Sequence, residues 1–167
     1  RFLQYSGARE QEALKIRWCD VDAEQGHVMI GAEGDSKNRE SRAVDLNSQL
    51  RDLLADMEKR KAPDSVWLFP SAQRGELDGH ARTFRESLLL AREAAGLPGF
   101  GFHDLRRFFA SRAVMSGIDF ITIAAWVGHR DGGILVGKVY GHLADSHKKE
   151  QAQRLNFGPA LVALPQR

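Results

Sequence analysis

The 167 residues are enough for one domain with a single ordinary hydrophobic core. An apolar share of 43% and a charged share of 28% are those of a globular chain, and no apolar run approaches the length that crosses a bilayer. The net charge of +2 is too small to point to a polyanion by itself, since that inference needs positive charge gathered on one face.

A single cysteine, Cys19, leaves no internal disulfide and suits a reducing cytoplasm. Beside Trp18 it reads as buried filler. No signal peptide opens the chain, and RFLQYSGAR begins at Arg1 as though already inside a helix, so an upstream segment is expected.

That opening helix is predicted to close at Ser6-Gly7, where glycine takes the left-handed conformation. A short helix follows from Arg9 to about Ile16, with Ala13, Leu14 and Ile16 facing inward. His27 to Ile30 reads as a strand and Arg42 to Leu46 as its return. Gly31 to Arg39 between them is a polar hairpin loop with Lys37 near its tip. Asn47 or Ser48 caps the next helix, where Leu50, Leu53, Leu54 and Met57 keep the i, i+3, i+4, i+7 spacing of one buried face.

Trp67 to Phe69 is a short apolar run before a turn-rich loop, Pro70 to Gly79. Phe84, Leu88, Ala91 and Ala95 mark one side of a further helix, stopped by Gly96 and Pro98. From His103, the residues Leu105, Phe108, Phe109 and Ala113 keep a helix side apolar, while His103, Arg106 and Ala110 fall on another. Gly117 ends that helix and Asp119 caps the next, with Ile121, Ile123, Ala124 and Val127 along it as far as Gly128. Arg130 to Gly137 reads as a glycine-rich loop, and Asp145 opens a last helix through Leu155. The fold class is therefore mainly α with a small antiparallel β-sheet near the N-terminus.

The stretch from His103 to Tyr140 concentrates residues suited to phosphate chemistry. A phosphodiester in its transition state gathers negative charge, and the planar arginine fork meets it with paired hydrogen bonds. Arg9 and Arg106 are both read at or just after a helix start, where free N–H groups also favour anions. Histidine moves protons near neutrality. A tyrosine hydroxyl that attacks phosphorus leaves a covalent ester that keeps the bond energy. Taken singly, each residue has a plainer reading. Arg9 and Glu12 form a surface i, i+3 ion pair, Lys37 is a solvated loop lysine, and His129 is a helix C-cap. Tyr140 is then a core aromatic with its hydroxyl outward.

Their order decides between these readings. G-A-R-x-x-E from Gly7 to Glu12, a lysine in the next hairpin, H-D-L-R from His103, Gly128-His129 and Y-G-H from Tyr140 resemble the catalytic domain of the tyrosine recombinases, the phage integrase family. The resemblance runs from about Ser6 to Leu155. It implies that Arg9 and Arg106 clamp the scissile phosphate and that Lys37 protonates the leaving 5′ oxygen. His103 would help with the proton of the nucleophile, His129 would hydrogen-bond the phosphate, and Tyr140 would form the 3′-phosphotyrosyl link. Glu12 would support the site without reacting, and Arg39, Arg42 and Arg107 would touch the DNA backbone. The interval from His129 to Tyr140 is slightly longer than in many members.

The resemblance further implies a site-specific recombinase that needs no metal or other cofactor. Four protomers would assemble around two DNA duplexes, with accessory directionality proteins as possible partners. The isolated chain is expected to be monomeric, in the cytoplasm, with no membrane association. Residues 1–157 would form a catalytic domain shortened at its N-terminus, 158–167 a tail, and a separate N-terminal DNA-binding domain would lie outside this chain. A DNA-binding relative without activity and a type IB topoisomerase are the alternatives, told apart by covalent-adduct formation and by relaxation of supercoils without paired sites.

Overall fold

The computed structural model describes residues 1–32, 41–71, 79–141 and 152–153. Two short helices open the chain, α1 (Phe2–Ser6) and α2 (Glu10–Leu14), and a 3-10 turn leads into β1 (Val21–Asp22). With β2 (His27–Ile30) and β3 (Arg42–Asp45) it forms a three-stranded antiparallel sheet in the order β1-β2-β3, where Val28 faces Val44 across the β2–β3 pair. Helices α3 (Ser48–Lys59), α4 (Arg85–Ala94), α5 (Phe102–Met115), α6 (Phe120–Val127) and α7 (Ile134–Tyr140) complete the described part. The expected fold class, mainly helical with a small sheet near the beginning, is the one observed. Among the described residues no helix is long and apolar enough to cross a membrane.

Local chemistry explains most boundaries. Gly7 closes α1 at φ 66°, donating its N–H to the carbonyl of Leu3. The side chain of Asn47 accepts the N–H of Leu50 at the start of α3, and Asp119 accepts that of Thr122 at the start of α6. On β2 the residues Val28 and Ile30 turn inward, and with Val44, Leu50, Leu54, Ile16 and Leu68 they form the larger core. A second, smaller cluster joins Ala110, Ala113, Val114, Ile123, Ala124 and Val136 from α5, α6 and α7.

Several expectations are corrected. Cys19 is exposed, not buried, because it lies on the outer side of the 3-10 turn. Ala91 and Ala95 are exposed, and α4 buries no residue at all. Ile121 is 69% exposed, so the inward face of α6 is Ile123, Ala124 and Val127. On α5, Phe108 is exposed and Arg106 is buried, joining Phe109, Ala110 and Ala113 on the inner face. The segment read as a loop from Arg130 to Gly137 becomes helical at Ile134, because Gly133 starts α7 at φ 92° and Asp131 caps its first turn. The expected last helix from Asp145 to Leu155 lies almost wholly outside the described residues.

Candidate active site

The turn between α1 and α2 brings the first candidate forward. A Cβ on Gly7 would stand 2.5 Å from the Phe109 ring, so only glycine lets this turn lie flat against α5. Arg9 then caps α2. Its backbone N–H donates to Glu12 Oε2 at 2.9 Å and its Nη1 to Glu12 Oε1 at 2.7 Å. The plain reading of an i, i+3 pair is thus present, but Glu12 does more than serve a surface pair. Its side chain is 9% exposed, while that of Arg9 is 54% exposed and leaves the guanidinium open to solvent.

Arg106 is the centre of the arrangement. From the second turn of α5, past the free N–H groups at the helix start, it donates Nη1 to the carbonyl of Gly7 at 2.8 Å and Nη2 to the carbonyl of Val127. One side chain therefore ties the α1–α2 turn to the end of α6. These bonds use two of the five N–H donors of a guanidinium. Burial, and then the positive charges of Arg9 and Arg42, bring its pKa down to about 10 against the opposing pull of Glu12 and Tyr140. It stays charged at neutral pH.

His129 follows Gly128, which closes α6 at φ 68°, and its N–H reaches back to the carbonyl of Ala124 at 2.8 Å. Its Nδ1 is buried without a hydrogen-bond partner among the described residues. Burial first, and then Arg106, lower its pKa, with Asp131 opposing and Arg9 and Arg42 adding to the shift. The imidazole is thereby held neutral around pH 7, able to donate or accept one hydrogen bond at a site crowded with cations.

Tyr140 ends α7 half-buried, packed against the smaller cluster, and near enough to Arg106 to favour its charge. His103 is exposed on the first turn of α5, and among the described residues no hydrogen bond ties it to the cluster. Arg107 is also exposed, 3.9 Å from Asp104. Lys37 and Arg39 lie outside the described residues. Arg42 is not the open backbone-facing residue expected: its side chain is 13% exposed and its donors are turned onto Glu12 and Trp126.

Arg9, Glu12, Arg106, His129 and Tyr140 are thus brought to one locality, although they span most of the chain. Sequence reasoning missed one residue, Asp131, and the inward role of another, Arg42. Asp131 accepts the N–H groups of Gly133 and Leu135 and so starts the helix that carries Tyr140. A carboxylate two residues before a Gly-Ile step was the available signal. The inward role of Arg42 had none, since Glu12 lies thirty positions away. Among the described residues no three His, Cys, Asp or Glu side chains gather as a metal ion would require. What the locality offers is a dense, partly buried set of cationic donors beside a phenol, which suits a tetrahedral anion under attack.

Known proteins share this arrangement of elements. The Phage integrase family matches residues 1–147. TnP I resolvase of Bacillus thuringiensis is 31% identical over 132 residues, covering 76% of this chain and 43% of that protein. The chain therefore spans less than half the length of that relative. The catalytic domain of bacteriophage HP1 integrase superposes with a TM-score of 0.63 at 24% identity, over 93% of this chain and 79% of that one. XerH site-specific recombinase, bound to palindromic difH substrate in a post-cleavage complex, superposes with a TM-score of 0.64 at 25% identity, over 90% of this chain and 43% of the other.

Proposed function

This chain belongs to the phage integrase family, and from that premise we propose that it carries the catalytic machinery of a site-specific DNA recombinase, cutting and rejoining double-stranded DNA through a 3′-phosphotyrosyl intermediate. The observation that carries the reading is the buried Arg106, whose guanidinium joins the turn before Arg9 to the end of the helix before His129. A buried arginine held by backbone carbonyls on two sides is costly unless its remaining donors serve an anion. The DNA-bound recombinase among the similar structures supports a duplex as that anion's source.

In the proposed reaction Arg9 and Arg106 hold the non-bridging oxygens of the scissile phosphate. The Tyr140 oxygen attacks phosphorus and gives up its proton with help from His103. The bond from phosphorus to the 5′ oxygen breaks, and Lys37 supplies that oxygen with a proton. His129, kept neutral, hydrogen-bonds the phosphate through the charge build-up. Glu12 holds Arg9 and does not react. Attack by the 5′ hydroxyl of another strand reverses the sequence and releases Tyr140. Because the ester bond energy is kept, no nucleotide is called for, and the cationic side chains would take the charge-stabilising part that a metal plays elsewhere. Residues 1–157 would supply this domain and 158–167 a tail, with four protomers around two duplexes and accessory directionality proteins as partners of the complete protein. Arg39 and Arg107 would position the duplex without reading its sequence.

The test is adduct formation on a nicked suicide duplex, built on the sequence that the complete protein selects from a random DNA pool. Wild type is expected to trap DNA covalently and Tyr140→Phe to trap none. As much adduct from Tyr140→Phe as from wild type would overturn the assignment.

A further inference from the structure

Arg42 is the first residue of β3, and its guanidinium is almost enclosed. Nε donates to the carbonyl of Trp126 at 2.8 Å, on the last turn of α6. Nη1 and Nη2 donate to Oε1 and Oε2 of Glu12 at 3.3 and 2.6 Å. Glu12 in turn holds Arg9 through both its backbone and its side chain. From the other end of the same strand, Asp45 accepts the indole Nε1–H of Trp126 at 2.7 Å. One strand thus grips a single residue of α6 at two points. Gly128 lies so close to this arginine that a Cβ there would stand 3.2 Å from Nη1.

We propose that Arg42 is a positioning residue for the recombinase reaction, fixing Arg9 through Glu12 and His129 through the end of α6 in one geometry around the scissile phosphate, without touching DNA itself. This rests on the function proposed above. The arginine fork is suited to the task because a carboxylate and a carbonyl can be met in one plane, whereas a lysine ammonium is a single point that cannot span both. Removing the charge altogether would leave the nearly buried Glu12 with Arg9 as its remaining partner. Arg42 also adds to the positive field that keeps His129 neutral.

The complete protein carrying Arg42→Lys is compared with wild type on the same selected suicide duplex, at DNA concentrations that saturate binding. The expected result is a cooperative thermal unfolding transition and near-wild-type affinity, with an adduct rate at saturation lower by about 10²-fold, the scale on which small misplacements act. Replacing the scissile phosphate with a methylphosphonate removes the oxyanion charge that the arginines must meet, and there the gap between variant and wild type is expected to narrow. Weaker affinity with an unchanged saturated rate would overturn the proposal and make Arg42 a DNA-backbone contact. An equal loss on both substrates would overturn it in favour of a purely scaffolding role. If Arg42→Lys does not fold, Trp126→Phe removes the Asp45 hydrogen bond and trims the ring that meets Phe109 while keeping the carbonyl that Arg42 holds, and it should show the same split with a smaller loss, while an unchanged rate there overturns the proposal. Absence of adduct from wild type would count against the proposed function, so the two failures are distinguishable.

Discussion

The two hydrophobic clusters of this molecule are built differently. Around the sheet, Ile16, Val28, Ile30, Val44, Leu50, Leu54 and Leu68 interlock with α1 and α2, and most of these side chains are fully buried. Between α5, α6 and α7 the buried set is smaller in number and in size, with three alanines among six residues. Large apolar side chains there point outward instead: Ile134 is 61% exposed, Val139 46% and Leu135 45%. Since stabilisation follows apolar area removed from water, the first cluster anchors the fold and the second adds less. The candidate site lies on the seam between them. Arg9, Glu12 and Arg42 hang from the heavier side and Tyr140 from the lighter, which would give the proposed phosphate clamp a firmer footing than the proposed nucleophile.

The sharpest way to break this comparison is truncation on each side. Leu50→Ala is expected to cost about 3 kcal/mol and Val136→Ala about 2 kcal/mol, measured by denaturant unfolding. A larger loss at Val136 would reverse the ranking of the two clusters. Gly7→Ala probes the seam itself, where a left-handed backbone and the Phe109 ring both resist a methyl group. The expected loss is about 2 kcal/mol, from backbone strain and overpacking together, and a neutral result would mean that α1 and α5 are free to separate.

The mildest probe is acid. The His129 pKa is lowered in the folded protein, so the folded state binds fewer protons than the unfolded chain and folding releases them. Its share of stability is whole above pH 6.5 and is lost as the pH falls from there. Burial alone would raise the Glu12 pKa, but the hydrogen bond and charge of Arg42, with the N–H of Arg9, outweigh it and hold the carboxyl to about 2. Its share is present above pH 4.5 and is lost as the pH falls from there toward about 2. Melting temperature should therefore fall in two stages, and His129→Asn should flatten the upper one. A variant whose upper stage matches wild type would remove His129 from this account.

Much of the fold was legible because short-range rules governed it. The glycine closing α1 and the caps Asn47 and Asp119 follow from residues within a few positions of each other, and the β2–β3 pairing joins two segments adjacent along the chain. The family pattern marked the candidate residues for a different reason, as an order of motifs along nearly the whole chain. Arg106 was set on a different side of the helix from Phe109 and Ala113 because arginine is read as polar, although Arg106, Phe109, Ala110 and Ala113 keep the i, i+3, i+4, i+7 spacing of a buried stripe. Helix α7 was masked by its glycines, yet Gly137 sits within it where a Cβ would come to 3.3 Å from the Phe120 ring. Contacts such as Arg42 to Glu12 depend on tertiary geometry, and no local pattern announces them.

The neighbouring carbonyls of Trp126 and Val127 are claimed by two different arginines, one arriving from a strand and one from a helix. Adjacent helical residues differ by about 100° in direction, so losing or gaining one residue within α6 would present the wrong oxygen to each guanidinium together. Residue number in that segment is consequently as constrained as residue type, and homologous chains should vary the exposed side chains of α6 far more freely than the count between Asp119 and Gly128.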